Sequence, residues 1–374
     1  MDQKLLHTPE GVRDIYNEEC EKKLALQGRL HEVMKSYGYR DIETPTFEFF
    51  DVFSKEVGTT PSKDLYKFFD REGNTLVLRP DITPSIARAA AKYFGEETDP
   101  LRFCYVGNTF INNSSYQGYL KETTQLGAEL IGDNSVDSDA EVIAMVIECL
   151  LKAGLKEFQV SIGQVDFFES LLKEAGITGP EEEELKRLIS NKNNFGVEEL
   201  LSEKNIRPDL KELLVALPKL YGGTEALEKA RSMTKNQEAL TALRRLEEIY
   251  EILCVYGVER YVSFDLGMLS KYMYYTGVIF RAFTFGTGGA VVKGGRYDQL
   301  LGHFGKEAPS IGFVVVVNQL VNALERQKIS MPAPQEPVVL RYRPQERDEA
   351  IRKAEKLRRE GAYVALAAEK GETV

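Results

Sequence analysis

The sequence predicts an α+β fold, on three observations. Strand-like and helix-like segments are mixed along most of the chain. Residues 101–132 carry two strand patterns around a polar loop (Asn112 to Gly118), as an antiparallel hairpin does. Residues 178–256 are helical and charged, an all-α insertion inside a strand-bearing chain.

Taken in order, residues 1–40 read as an extended segment and an amphipathic helix. Its apolar positions recur at helical spacing from Glu18 to Met34, and Ser36-Tyr37-Gly38 ends it. Tyr39 to Pro45 is strand-like and closed by proline, and Leu76 to Pro80 is a second short strand. Asp81 to Lys92 forms a helix with a small-residue face. Val136 to Ala153 forms another, followed by a strand at Phe158 to Ile162. In the insertion, one helix starts at Glu181–Glu184 and another spans Ala239–Leu253. Strands resume at Tyr261–Leu266, Val278–Phe285 and Ala290–Val292. Pro332, Pro334 and Pro337 form a linker, and 338–374 offers a strand, a helix (Gln345 to Glu360) and a strand.

The composition narrows the function. With 374 residues, 43% hydrophobic and 28% charged, the chain can bury a sizeable core over two or three domains. It has no apolar run of about 18 residues, so no membrane span is expected. The first residues lack a basic-then-apolar leader, which predicts a cytoplasmic protein. Cys20, Cys104, Cys149 and Cys254 show no paired spacing and read as reduced thiols. His7, His31 and His303 are too few and too separated in sequence to predict a metal site, and no cofactor is expected. A net charge of −10 disfavours a general nucleic-acid binder, which needs a basic face.

Six short motifs then occur in order: Pro9 to Asp14, Gly38-Tyr39 through Pro45, Leu78 to Thr83, Gln125-Leu126-Gly127-Ala128-Glu129, Tyr274-Tyr275-Thr276-Gly277, and Gly294-Gly295-Arg296-Tyr297-Asp298. Together they resemble the histidyl-tRNA synthetase family across most of residues 8–325. The resemblance implies a class II synthetase-like core over 1–330, a mixed and mainly antiparallel sheet flanked by helices, with the helical insertion near 178–256. It also implies that 338–374 is a short remnant of the family's α/β anticodon-binding domain. Gly38 to Pro45 would serve the dimer interface.

Activating an amino acid on ATP brings a carboxylate against a phosphate, so the site must hold cations ready for the extra charge of the transition state. Arginine suits this, because its fork grips phosphate oxygens through two parallel bonds. By alignment with the family, three such arginines are missing: Ile111, Gln319 and Ser270 stand in their places, and Asn113 replaces an acidic residue. The loop Ser114 to Tyr119 is without arginine, leaving Lys121 nearby, and Lys271 lies beside Ser270. Adenylation is therefore expected to be lost, and no catalytic residue is predicted.

The amino-acid pocket survives better. The resemblance places Glu129 and Tyr275, with Tyr274 beside them, at an imidazole. It places Asp81, Thr83 and Gln125 around an α-ammonium, and Gly294 and Gly295 where backbone approaches ligand. A structural reading of the same residues, as relics of the fold, stands beside this one. Kept histidine pocket and lost ATP chemistry together resemble the regulatory subunits that partner short-form ATP phosphoribosyltransferase. That implies a short-form catalytic subunit as partner, L-histidine as ligand, a homodimer within a hetero-octamer, and no tRNA. An active histidyl-tRNA synthetase of divergent sequence is the alternative. A synthetase-like sensor attached to another enzyme is a third.

Overall fold

The computed structural model describes residues 6–53, 60–113, 120–202, 204–269, 274–331 and 336–369. Contacts divide the chain into two units, Met1–Asp14 with Leu26–Ser330, and Ile15–Ala25 with Met331–Val374.

The first elements are α1 (Asn17–Ser36), β1 (Arg40–Asp41), β2 (Phe47–Phe49), β3 (Lys67–Phe69), β4 (Thr75–Leu78) and α2 (Thr83–Tyr93). The hairpin β5 (Leu101–Phe110) and β6 (Glu122–Ile131) follows, then α3 (Val136–Lys152), β7 (Phe158–Gln164) and α4 (Val165–Ala175). The insertion holds α5 (Pro180–Ser190), α6 (Asn194–Ser202), α7 (Pro208–Ala216), β8 (Tyr221–Gly222), α8 (Thr224–Met233) and α9 (Gln237–Tyr256). β9 (Val262–Asp265), β10 (Thr276–Thr284), β11 (Val292–Arg296), β12 (Ser310–Val316) and α10 (Val317–Arg326) complete the larger unit.

One nine-stranded sheet runs β1-β5-β6-β12-β11-β10-β7-β9-β8, and β2-β4-β3 form a separate small sheet. In the large sheet neighbours are antiparallel except β1–β5 and β7–β9. The insertion is helical apart from β8, which joins the sheet edge through Leu266 N–H to Leu220 O at 3.0 Å and the β8–β9 pairing. The strand expected over Tyr39–Pro45 shrinks to two residues of ladder, because Thr44 and Pro45 turn their carbonyls to Arg79 instead.

Local chemistry explains the helices around the sheet. Ser135 caps α3, its Oγ accepting from the Ser138 N–H at 3.1 Å, and Asp137 and Asp139 complement the positive end of the helix dipole. The apolar side of α3 (Ile143, Val146, Ile147, Leu150) is fully buried. Each such side chain stabilises the fold by roughly 1.5–3 kcal/mol, so Ile143→Ala should cost about 2–5 kcal/mol. The cluster of Ile82, Ile86, Ala87 and Ala90 from α2 with Phe103, Tyr105, Tyr274 and Tyr297 packs the other side. Among the described residues no helix is long and apolar enough to cross a membrane.

The smaller unit carries β13 (Val338–Tyr342), α11 (Arg347–Arg359) and β14 (Val364–Ala368). Its two strands are parallel, with Val338 opposite Val364, and the helix supplies the crossover that parallel strands require.

Candidate ligand-binding site

The site is built on the middle strands of the large sheet. Side chains two residues apart on a strand share a face, as do residues directly opposite on neighbouring strands. Gln125, Gly127 and Glu129 therefore line one face of β6, opposite Gly107, Tyr105 and Phe103 of β5 and Val316, Val314 and Gly312 of β12.

Glu129 is 1% exposed and takes three hydroxyl hydrogen bonds. Thr83 Oγ1 donates to its Oε1 at 2.8 Å, Tyr105 O–H to the same oxygen at 3.3 Å, and Tyr297 O–H to Oε2 at 2.6 Å. Burial pushes this carboxyl up to about 8, the three hydroxyls pull it back, and neighbouring Asp81 adds repulsion. Without a ligand, burial therefore favours the protonated form near neutral pH, and a ligand N–H donating to this carboxyl would shift it back toward the carboxylate. Hydroxyl partners tolerate both states, because each can donate or accept.

Gly312 makes this geometry possible. It lies directly opposite Glu129, and a Cβ there would fall 1.6 Å from Oε2.

Asp81 stands at the start of α2. Its Oδ2 accepts from Tyr274 O–H at 3.0 Å and its Oδ1 from the Thr83 N–H at 3.3 Å, and burial raises its pKa. The Tyr274 ring packs against Tyr275 at 5.0 Å and edge-on to Tyr297 at 6.1 Å. Asp81, Thr83, Glu129, Tyr274 and Tyr275 thus come together. Gln125 lies on the same face, and among the described residues its buried Oε1 has no hydrogen-bond partner.

The two glycines divide. Gly295 faces the site, opposite Gly312, whereas Gly294 opens to the other face, where a Cβ would meet the Phe280 ring at 2.3 Å. The rest of that motif holds the fold. Arg296, 1% exposed, donates to Asp139 Oδ1 at 2.5 Å, Asp133 O at 2.7 Å and Asp298 Oδ1 at 3.1 Å. Arg245 from α9 takes the other oxygen of Asp139 at 2.7 Å.

Tyr105 and Tyr297 as partners of Glu129 were not predicted. Tyr297 lay inside a motif already singled out, but only the β5–β6 register brings Tyr105 to it.

Of the positions that align with the family's phosphate-binding arginines, the two among the described residues, Ile111 and Gln319, carry no charge. Gln319 Oε1 accepts from Thr287 O–H at 2.8 Å, and Asn318 Oδ1 accepts from the Thr124 N–H at 2.8 Å. Ile111 continues the hairpin, its N–H donating to Lys121 O at 2.9 Å. Ser270, Lys271 and the segment Ser114 to Tyr119 lie outside the described residues.

A different corner gathers His31, Asp41 and Cys104 within 4.8 Å, but Asp41 is already paired with His31 and, at 2.9 Å, with the Lys35 ammonium. That is a closed ion-pair network, and we assign it no metal.

This fold, with a buried carboxylate ringed by hydroxyls on the central strands, defines a protein of the histidyl-tRNA synthetase class, and that family's profile matches residues 11–320. The ATP phosphoribosyltransferase regulatory subunit of Acetivibrio thermocellus is 44% identical over 96% of this chain and 86% of its own length. The protein of that name from Caldanaerobacter subterraneus is 40% identical over 97% of this chain and 94% of its own. A crystal structure from Bacillus halodurans, described as an ATP phosphoribosyltransferase regulatory subunit/histidyl-tRNA synthetase, matches with a TM-score of 0.89 at 35% identity. It covers 99% of this chain and 94% of that one. A histidyl-tRNA synthetase from Nostoc shares the fold, with a TM-score of 0.82 at 20% identity. The chain belongs to the ATP phosphoribosyltransferase regulatory subunit family, and its relatives are named for a regulatory part rather than a catalytic one.

Proposed function

We propose that this chain is the non-catalytic regulatory subunit of ATP phosphoribosyltransferase. It joins the short-form catalytic subunit, is required for its activity, and carries feedback inhibition by L-histidine in the first step of histidine biosynthesis. The observation that carries this reading is the contrast within one site. A buried acid and an unpartnered amide acceptor remain beside the amino-acid pocket, while Gln319 is tied to Thr287 where ATP phosphates would need a cation.

In this reading Glu129 accepts from an imidazole N–H, with Tyr275 at the other ring nitrogen and Tyr274 packing beside it. Asp81, Thr83 and Gln125 take the α-ammonium, a cation that a carboxylate and neutral acceptors satisfy when buried. Gly295 brings the β11 backbone to the pocket face, and the Gly294 backbone continues that strand. The chain dimerises through Gly38–Pro45 and the helix before it, and the dimers enter a cytoplasmic hetero-octamer. Residues 338–374 belong to an anticodon-binding-like α/β domain, and in this reading the complex takes no tRNA and no cofactor.

Histidine inhibits only if it binds the inhibited arrangement better than the active one, since equal affinity shifts nothing. The test is phosphoribosyl transfer by the reconstituted complex, titrated with histidine. Glu129→Ala should leave assembly and stimulation intact and weaken inhibition by on the order of 1.5–3 kcal/mol, the worth of a hydrogen bond to a charged group. If the mutant complex is inhibited as well as wild type, the sensor lies elsewhere.

A further inference from the structure

One residue of the motif Leu78 to Thr83 takes no part in the pocket described above. Arg79 stands two residues before Asp81 and is 7% exposed. Its Nε donates to Asn108 O at 2.9 Å, and its Nη1 to Thr44 O at 2.7 Å, Thr44 Oγ1 at 3.3 Å and Pro45 O at 3.2 Å. Its backbone is fixed as well. The Arg79 N–H donates to Thr46 O at 3.0 Å, and Arg79 O accepts from the Phe110 N–H at 3.0 Å. The guanidinium packs over Gly107, where a Cβ would fall 2.4 Å from Nη2. Gly107 lies opposite Gln125, so this cation sits at the edge of the site face.

The acceptors are neutral oxygens, with Glu43 and Glu48 favouring the charge from further off. A buried arginine arranged in this way serves geometry. Its planar fork holds residues 44–45 and 108 in one fixed relation to residue 79, which the single point charge of a lysine does not. Pro80 passes that relation on to Asp81, because proline fixes its own φ and restricts the residue before it.

Helix α2 has a second hold on the same segment. Arg88 donates through Nε at 3.2 Å and Nη2 at 2.7 Å to Oε1 of Glu48, which is 7% exposed. The helix that begins beside Asp81 is therefore fastened at two points to residues 44–48. The hydrogen bonds from Tyr274 and Thr83 orient the Asp81 carboxyl, but not the chain that carries it.

We propose that Arg79 and Arg88 are positioning residues for the amino-acid pocket. By fastening α2 to residues 44–48 they place Asp81, and with it the site's preference for a ligand that carries an ammonium. This rests on the histidine reading of the pocket and deepens it.

The test is calorimetric titration of the full chain with L-histidine and with L-imidazolelactate, which has a hydroxyl in place of the ammonium. Wild type should prefer histidine. Arg79→Lys and Arg88→Met should each cut that preference by about tenfold, the worth of a hydrogen bond to a charged group, and leave imidazolelactate near its wild-type affinity. Arg88→Lys keeps the ion pair with Glu48 and should keep the preference. A general loosening of the fold weakens both ligands alike, and that result, or an undiminished preference, overturns the positioning role. The Arg88 side chain is 25% exposed, so if Arg79→Lys fails to fold, Arg88→Met decides. Asp81→Asn tests the pocket reading by itself. Loss of preference there, with the arginine variants like wild type, keeps that reading and removes the proposal. Wild type that binds neither ligand removes both, and equal binding of the two ligands removes the proposal.

Discussion

Tyr297 donates its hydroxyl to Glu129 at 2.6 Å, while its chain neighbour Arg296 turns to the opposite face and grips Asp139 at 2.5 Å. One short strand end therefore fixes the buried Glu129 carboxyl on one face and the salt-bridged core on the other. Displacing either anchor should be felt by the other.

The first prediction concerns pH. Glu129 titrates near 4.5 in an unfolded chain and near 8 in the fold. Between these values the folded state keeps a proton that the unfolded state has lost. Its contribution is fully present below pH 4.5 and lost as pH rises through 8, by at most about 1.4 kcal/mol per pH unit. Asp81 is raised by burial as well and adds a slope of the same sign. Urea midpoints should fall from about pH 5 to pH 8 in wild type, and less steeply in Glu129→Gln. Parallel profiles for the two proteins would show that Glu129 titrates normally.

The second prediction concerns the arginine pair. Asp139 is wholly buried and pairs with Arg296, 1% exposed, and with Arg245, whose side chain is 23% exposed. Asp139→Asn leaves the buried Arg296 guanidinium with only the partly exposed Asp298 as counter-charge, at a cost of up to about 3–5 kcal/mol. Arg245→Ala leaves the inner pair intact, and α9 can rehydrate at that point. It should cost less than half as much. Denaturant unfolding of both variants measures the ratio, and equal losses would mean that Asp139 depends on both partners alike.

The third prediction is chemical. Histidine-dependent pyrophosphate exchange should stay at background, because Ile111 and Gln319 offer no charge to phosphate. Removing one preorganised donor already costs on the order of 10²–10³ in rate. Ile111→Arg with Gln319→Arg should not restore it, since groups acting as a unit do not recover one by one. Exchange above background in either protein would make the chain an enzyme.

The sequence made some of this legible and hid the rest for physical reasons. Helix spans were readable, because apolar spacing and caps are local: the segment predicted as 136–153 is α3, Val136–Lys152. The strand expected at Ala290–Val292 proved to be Val292–Arg296, because Gly294 and Gly295 read as a break when they are sheet residues. There the missing side chains make room for Phe280 and for the Val278 carbonyl. The strand β12 went unplaced, although its Gly312 shapes the site. Pairings such as Tyr105 with Glu129, or Lys293 with Arg281, depend on register between strands. A bulge between Thr276 and Ile279 resets the second of these, and no local pattern reveals it.

The last prediction follows from linkage. If histidine bound by this chain inhibits a catalytic partner, the two sites share a coupling free energy, typically about 1–3 kcal/mol or roughly 5–150-fold in affinity. Such coupling is reciprocal for binding. A substrate that favours the active arrangement must weaken histidine binding by the same factor by which histidine weakens the substrate. The reconstituted complex should therefore bind histidine less tightly when its catalytic sites are saturated with phosphoribosyl pyrophosphate than when they are empty. Free regulatory chain should show no such dependence. Equilibrium titrations of histidine into the complex, with and without that substrate, give the factor directly, and inhibition constants measured separately give its counterpart. Histidine affinity that ignores the catalytic ligand, in a complex that histidine still inhibits, would place the inhibitory histidine outside this linkage.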